Sequence, residues 1–355
     1  MDFVSILQKA SDQYRSQQPF VLFALPNDHL VSGLFQNKPE SATATQSFKN
    51  GFVLAPFNSD HPTVRISHQS SEILKAEIAT EVFDLNPVRL SEDIKDRNRY
   101  LSLVQKAKAT IQRDKVEKIV VSRKKELPLK EFNLVTLGKR LFSLQSDAFK
   151  YLWYHPTTGM WCGATPEVLL EVAHNNFTTM ALAGTKKLED NEQVSWTEKE
   201  RHEQQLVTDS ILQNLDTVAL KYQVSPVYTQ QAGHVAHLRT DIRGTLKNAV
   251  GVAEQLAGLL HPTPAVCGTP KASAKTFIQQ HEGYDRAFYT GFLGPVQEGG
   301  NHKRYFVNLR CMQLTHDRAT LYAGGGVTAG SHPESEWEET RHKLQTMAKL
   351  LAPFL

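Results

Sequence analysis

The residues of this chain best suited to chemistry lie near its C-terminal end. Gly324-Gly325-Gly326 follows a short apolar run, and Glu336 and Glu339 come soon after in Ser335-Glu336-Trp337-Glu338-Glu339-Thr340. Glycines let a backbone approach a ligand that any side chain would keep away. Carboxylates at i, i+3 leave a helix on one face, a geometry that suits a hard cation. A glycine loop cradling an anion beside such a pair suggests Mg²⁺ bridging the protein to a carboxylated ligand.

A second acidic pair opens another helix. Thr197 with Glu200 forms a capping box, and Val207, Ile211, Leu215 and Val218 mark the buried stripe that follows. Traced back toward the N-terminus, that stripe reaches Glu203 and Glu200. A carboxylate there needs a cation, hydrogen bonds or a raised pKa. The plainer alternative is that the stripe ends first and the helix start simply favours acids.

Other charged residues have two readings each. Lys118, ahead of Ile119-Val120-Val121, is either a half-buried candidate base or an exposed edge-strand lysine. Glu167, after Gly163-Ala164-Thr165-Pro166, is either a working acid at a strand start or a turn residue. Arg310, between Leu309 and Cys311, reads as a charge inside a strand that needs an anionic ligand or a structural carboxylate. His237 and His261 are site candidates or packed core histidines. Glu339 and Lys343 are spaced as an ordinary i, i+4 helix pair. No nucleophile elbow, Walker loop or dinucleotide fingerprint occurs.

The elements that must position these residues read as mixed helices and strands. Residues 1–90 give a helix and then short strands, with apolar runs at 20–25 and 51–57 and a loose polar stretch over 38–49. Residues 91–114 carry helical spacing, with Tyr100, Leu101, Val104, Ala107 and Ile111 on one side. Strands are expected at 118–122, 151–154, 168–172, 304–314 and 319–323, and helices at 198–222, 249–260 and 334–351. Pro333 suits the first turn of the last helix, with Trp337, Leu344 and Leu351 on its packed face. Strands arriving in pairs favour antiparallel pairing and the α+β class.

The bulk composition narrows the function classes. The chain has 355 residues, 40% of them hydrophobic and 22% charged, as in a soluble globular protein. A net charge of +3 is too small to argue for nucleic acid. Cys162, Cys267 and Cys311 form no Cys-x-x-Cys, so neither zinc nor a disulfide framework is indicated. They read as buried thiols in a reducing compartment. The N-terminus starts an amphipathic helix without a signal-peptide core, and no apolar run approaches the ~20 residues of a membrane span. A cytoplasmic location is expected.

Several segments taken together resemble the chorismate-utilising enzymes. In order they are Lys118-Ile119-Val120-Val121-Ser122-Arg123, Gly163–Glu167, Ala183-Gly184-Thr185, Glu200-Arg201-His202-Glu203 and His261-Pro262-Thr263-Pro264-Ala265. Tyr284-Asp285-Arg286 with Tyr289 and Gly291, Asn308-Leu309-Arg310, and the glycines before Glu336 and Glu339 complete the series. The resemblance covers about residues 90–350. It implies an α+β fold in which large antiparallel sheets pack around a central cleft with helices outside. Residues 1–90 would be a variable N-terminal part of that fold and 91–355 the chorismate-binding core.

The resemblance also implies roles. Glu203 and Glu339 would hold Mg²⁺, with Glu200 and Glu336 supporting through water, and the metal would bind the ring carboxylate of chorismate. Tyr289, Arg310, Gly325, Gly326 and Lys343 would hold the enolpyruvyl carboxylate and line the site. Gly184, Thr185, His237 and Ala265 join them as substrate-binding positions. Lys118 matches a lysine that activates water, and Glu167 would be the acid partner.

Three positions point to an isochorismate synthase, an isomerase. They are Lys118, Ala183 where aminodeoxychorismate enzymes carry a nucleophilic lysine, and Ala265 where lyase-active relatives carry threonine. Val266 departs from the leucine of some siderophore-pathway members. The alternative is a salicylate-forming activity that releases pyruvate. Menaquinone and siderophore routes both fit, no glutaminase subunit is expected, and a monomer or weak dimer is anticipated.

Overall fold

The computed structural model describes all residues except 38–49, 80, 115, 145–146, 188–193, 233–234, 248–251 and 298–301, and omits the side chains of Thr185, Lys187, Lys199, Ala232 and Val235. The polar stretch expected over 38–49 therefore lies outside the described residues. In chain order the first elements are α1 (Phe3–Arg15), β1 (Phe20–Ala24), β2 (Leu30–Gln36), β3 (Asn50–Ala55), β4 (Val64–Ser67), β5 (Ser71–Glu77), α2 (Ile94–Arg113), β6 (Lys118–Pro128) and α3 (Leu134–Phe142). Then come β7 (Phe149–His155), β8 (Gly159–Thr165), β9 (Val168–Ala173), β10 (Asn176–Lys187), α4 (Glu198–Val218), β11 (Ala219–Val224), β12 (Tyr228–Ala232) and β13 (Val235–Leu246). The rest are α5 (Val252–Leu260), β14 (Gly268–Thr269), α6 (Lys271–His281), β15 (Phe292–Gln297), β16 (His302–Val307), β17 (Cys311–Leu314), β18 (Arg318–Val327) and α7 (Pro333–Ala348), with a final 3₁₀ turn over Lys349–Phe354.

The strands form two nine-stranded antiparallel sheets. The first runs β14-β6-β18-β17-β8-β7-β1-β2-β5. The second runs β11-β13-β10-β9-β16-β15-β3-β4, with β12 also on β13. The N-terminal strands are divided between them, β1, β2 and β5 in one sheet and β3 and β4 in the other.

The layer between the sheets is rich in aromatics. Val21, Phe23 and Trp161 of the first sheet meet Phe52, Leu54 and Phe306 of the second in one buried cluster. Phe149 and Phe306 stack with ring centroids 4.1 Å apart. Large flat side chains fill the roughly 10 Å between packed sheets with few rotatable bonds. Helices cover the outer faces. The stripes of α1 and α3, with the C-terminal turn, pack on the first sheet, and α4 and α5 pack on the second. No described helix is long and apolar enough to cross a membrane.

The expected helices and strands occur with four departures, and residues 249–251 of the helix expected over 249–260 lie outside the described residues. The helix expected over 198–222 ends at Val218, where β11 begins, and the last helix hands over to the 3₁₀ turn at Lys349. On α2, Leu103 is buried rather than Leu101. The strand expected over 304–314 is two strands in different sheets, β16 and β17. Asn308-Leu309-Arg310 crosses between the layers, and Arg310 has φ +46°, so it sits at a corner and not inside a strand.

The glycines also differ from expectation. Gly324, Gly325 and Gly326 do not form a loop. They lie in β18, opposite Ser122, Val121 and Val120 of β6. What they supply is absence of side chain at the cleft wall.

Candidate active site

Strand β6 brings Lys118 to one wall of a deep cleft. The strand is flanked by β14 and β18, and Lys118 is only 1% exposed, so the edge-strand reading does not hold. Its Nζ donates to Glu203 Oε1 at 2.7 Å. Glu203 stands on α4, which packs on β10 of the other sheet. This ion pair therefore joins the two layers.

Opposite elements supply the rest of the lining. The cleft encloses about 1120 Å³ including its open mouth. Lys118, Glu167, Gly184, Glu200, Glu203, His237, Ala265, Tyr289, Arg310, Gly325, Gly326, Glu336, Glu339 and Lys343 all line it. Of the residues expected at a site, only the Thr185 side chain lies outside the described residues. His261 is not in the lining. Its ring donates to the carbonyl of Thr290 at 3.0 Å, and burial lowers its pKa to about 4, as suits a packed core histidine.

Three of the expected metal-side carboxylates, Glu200, Glu203 and Glu339, are held by hydrogen bonds. Glu200 accepts from the amide of Thr197 at 2.8 Å and from its hydroxyl, so the helix-start reading describes its bonding. Burial pushes its carboxyl up, but the hydroxyl and amide of Thr197 outweigh that and leave it below the ordinary value. Glu339 accepts from Lys343 at 2.5 Å, and the same ammonium donates to the Gly324 carbonyl at 2.9 Å. The i, i+4 pair is thus real but faces the cleft, tying α7 to β18.

Glycine makes room for these groups. A Cβ on Gly325 would lie 2.8 Å from Glu336 Oε2, and one on Gly326 would lie 2.8 Å from Lys118 Cε and 3.1 Å from Glu203 Oε1. Gly184 has φ +72° beside a β-bulge in the β10–β13 pairing. That conformation favours glycine, and a Cβ there would meet Glu200 Cβ at 3.2 Å. Among the described residues no three His, Cys, Asp or Glu side chains cluster closely enough to hold a metal by themselves. Four carboxylates, Glu200, Glu203, Glu336 and Glu339, nonetheless line the cleft with no cysteine among the lining residues, and glycine leaves space in front of Glu203 and Glu336. That donor chemistry fits Mg²⁺ or Ca²⁺ and not zinc.

Glu167 is the electrostatic outlier. It is 8% exposed. Burial raises its pKa from 4.5 to about 7, and this outweighs the opposing pull of Lys118, Lys343 and Arg310. The charged form is too poorly solvated even with three cations facing it. His237 is held neutral: burial lowers its pKa to about 4, and its Nδ1 donates to the Gly184 carbonyl at 2.9 Å. Arg310 is lowered by burial against the pull of Glu339, Tyr289 and Glu167, and its described hydrogen bond, to Thr346, is long at 3.4 Å.

Sequence reasoning missed several lining residues, among them Val120, Pro166, Thr290, Leu309 and Tyr322. Tyr322 stacks on Tyr289 with centroids 5.1 Å apart. The only signal for Thr290 was its place beside Tyr289, and its φ of +59° is invisible in sequence.

The chain as a whole is similar to known proteins. The family model described as "Chorismate binding enzyme" matches residues 50–352. The chain belongs to the chorismate binding enzyme family. It is 32% identical over 266 residues to the salicylate biosynthesis isochorismate synthase of Pseudomonas aeruginosa, covering 72% of this chain and 55% of that protein. The chain thus spans little more than half the length of that relative. It is 30% identical over 264 residues to isochorismate synthase EntC of Escherichia coli K12, covering 72% of this chain and 67% of that protein. Among solved structures, a putative 2,3-dihydroxybenzoate-specific isochorismate synthase, DhbC from Bacillus anthracis, superposes with a TM-score of 0.78 at 25% identity. That match covers 98% of this chain and 99% of the other.

The state of Glu167 has a measurable consequence. Below pH 4.5 the carboxyl is protonated in folded and unfolded chains alike. As pH rises from 4.5 to about 7 the unfolded chain ionises it and the folded chain does not, so stability is lost across that window and stays lost above it. The cost above pH 7 is on the order of 3 kcal/mol. Glu167→Gln should therefore raise the unfolding free energy relative to the parent at pH 8 but not at pH 4, measured by denaturant titration. Equal differences at both pH values would contradict a raised pKa.

Proposed function

We propose that this protein converts chorismate to isochorismate with Mg²⁺ as its cofactor. The observation that carries the reading is the buried pairing of opposite duties in one cleft. Glu167 keeps its proton near neutral pH, while Lys118, nearly sealed from solvent, supplies an amine in the same lining. Isomerisation requires such a division. Lys118 is assigned as the base that takes a proton from the water attacking ring carbon 2. The ring double bonds shift, the carbon 4 hydroxyl leaves, and Glu167 gives it a proton. Water enters and water leaves, so the product is an isomer. An acid and a base placed in one cleft are the usual solution to this need. The relatives named as isochorismate synthases support the assignment.

The substrate carries two carboxylates. Arg310, Tyr289 and Lys343 are assigned to the enolpyruvyl carboxylate, with Gly325 and Gly326 giving it close access to the backbone. Gly184, Thr185 and His237 complete the lining, and the neutral His237 offers hydrogen bonds without competing for charge. Glu203 and Glu339 are assigned to Mg²⁺, with Glu200 and Glu336 in support. Bound there, the ion would supply fixed positive charge for the ring carboxylate. The role of Lys118 in water activation and the lack of a lysine at Ala183 favour water as nucleophile, so no glutaminase partner is required.

Lys118→Ala and Glu167→Gln should each lower turnover by ~10²–10⁴-fold, the usual worth of one acid–base step. Chromatography of products from chorismate and Mg²⁺ checks this, and near-native rates in both variants would overturn the assignment. Chelation with EDTA should abolish activity and added Mg²⁺ restore it in the parent, whereas Glu203→Ala and Glu339→Ala should stay inactive. Full turnover after exhaustive chelation would contradict the metal requirement.

Ala265 is assigned to product fate. It stands half-buried at the cleft wall, with no hydroxyl to hold the enolpyruvyl ether. Ala265→Thr adds a β-branch and a hydroxyl there. We expect less isochorismate and a rise in pyruvate, because pyruvate loss depends on holding the isochorismate pose. A folded variant with no added pyruvate would remove the role.

A further inference from the structure

Behind the cleft wall lies an ion pair that the chemistry above does not use. Glu282 caps the C-terminal end of α6, and Arg286 follows four residues later. They are 3% and 2% exposed. Arg286 Nε donates to Glu282 Oε2 at 2.8 Å, and one of its terminal nitrogens donates to Oε1. The remaining donors go to three separate segments: the Val120 carbonyl at 2.8 Å, the Val266 carbonyl at 2.8 Å and the Thr290 hydroxyl at 3.3 Å. Glu282 Oε1 also accepts from the amide and hydroxyl of Ser122 at 2.7 and 2.9 Å. The Phe57 ring lies 4.6 Å from the guanidinium carbon.

Each of these acceptors sits next to a residue of the site. Val120 is two residues from Lys118 on the same strand, Val266 follows Ala265, and Thr290 follows Tyr289. Arg286 itself is not among the lining residues. A buried ion pair is no better than a packed apolar pair as a source of stability, because desolvation offsets its attraction. What a guanidinium adds is direction. Its donors lie in one plane at fixed angles, so they hold these backbones at one mutual spacing.

We propose that the Glu282–Arg286 pair is a positioning device that sets the distance between the strand carrying Lys118 and the turn carrying Ala265. The proposal rests on the isochorismate reading. The groups assigned to the enolpyruvyl carboxylate include Arg310 and Lys343, whose own bonds go to Thr346, Gly324 and Glu339. Of the side chains assigned to that carboxylate only Tyr289 adjoins a brace contact in sequence, Thr290, so loosening the brace should harm the chemical step, which is sensitive to small displacements, more than substrate binding.

Arg286→Lys keeps the charge and loses the planar fork. Glu282→Gln keeps the shape and loses the charge. For each variant, circular dichroism and thermal unfolding establish the folded fraction, and kcat per folded molecule and KM for chorismate are then measured. We expect kcat to fall at least about tenfold with KM within about threefold of the parent, the signature of lost transition-state positioning. The double variant should be no worse than the weaker single one, because the pair acts as one unit. A merely structural role would lower the folded fraction and leave kcat per folded molecule unchanged.

Parent-like kcat in folded Arg286→Lys, or additive losses in the double variant, would overturn the proposal. If both single variants fail to fold, Ser122→Ala decides. It removes one hydroxyl bond to Glu282, and an unchanged kcat there would also overturn it. The parent runs in the same assay: if it makes no isochorismate, the functional reading fails, and the kcat and KM of its actual product still judge the brace.

Discussion

One ion pair spans the space around which this molecule is built. Lys118 on the first sheet and Glu203 on a helix of the second meet at 2.7 Å, with side chains 2% and 14% exposed. A lysine so deeply placed needs a carboxylate, since an unpaired buried charge is strongly unfavourable. The carboxylate in turn requires α4 to run its apolar stripe along the second sheet as far as Val207 and then turn polar where the sheets part. Gly326 must lack a side chain, because a Cβ would press on Lys118 Cε. The cleft follows from these demands. It is the gap that opens where aromatic packing between the sheets gives way to charges.

The same cleft sets two proton states apart by burial. Glu167 faces three cations and still has its pKa raised to about 7, because desolvation exceeds their attraction. Glu200, less deeply placed, is drawn the other way by the hydroxyl and amide of Thr197. Carboxylates of one chemical type thus serve different ends according to depth and hydrogen bonding. Arg310 and Lys343 stand at the junction of the layers, one at the corner between β16 and β17 and the other on α7 beneath the glycines of β18.

Much of this was legible in the sequence, and the parts that were not share a cause. The stripe of α4 pointed back to Glu203 because helix periodicity is local. The capping box at Thr197 was readable for the same reason. Arg310 was misplaced into a continuous strand because apolar alternation runs through 304–314, and nothing local marks the change of sheet. Its positive φ belongs to a corner pinned from distant segments, by Asn308 bonded to Tyr151 and to the Phe288 carbonyl and by the Ala164 amide on the Arg310 carbonyl. The glycines of β18 read as a loop because three in a row have no strand propensity of their own. Their pairing with β6, from a remote part of the chain, overrides that. Arg286 belongs to the Tyr284-Asp285-Arg286 motif, but its bracing with Glu282 was not readable, since two of its partners are main-chain carbonyls on segments remote in the chain.

The account stands or falls on water being the entering group, activated at Lys118. The direct measurement is a single turnover of chorismate with the protein and Mg²⁺ in ¹⁸O-enriched water, followed by mass spectrometry of the product. The account predicts isochorismate carrying one solvent oxygen, located at ring carbon 2. Isochorismate whose ring carbon 2 hydroxyl carries no solvent oxygen would contradict it.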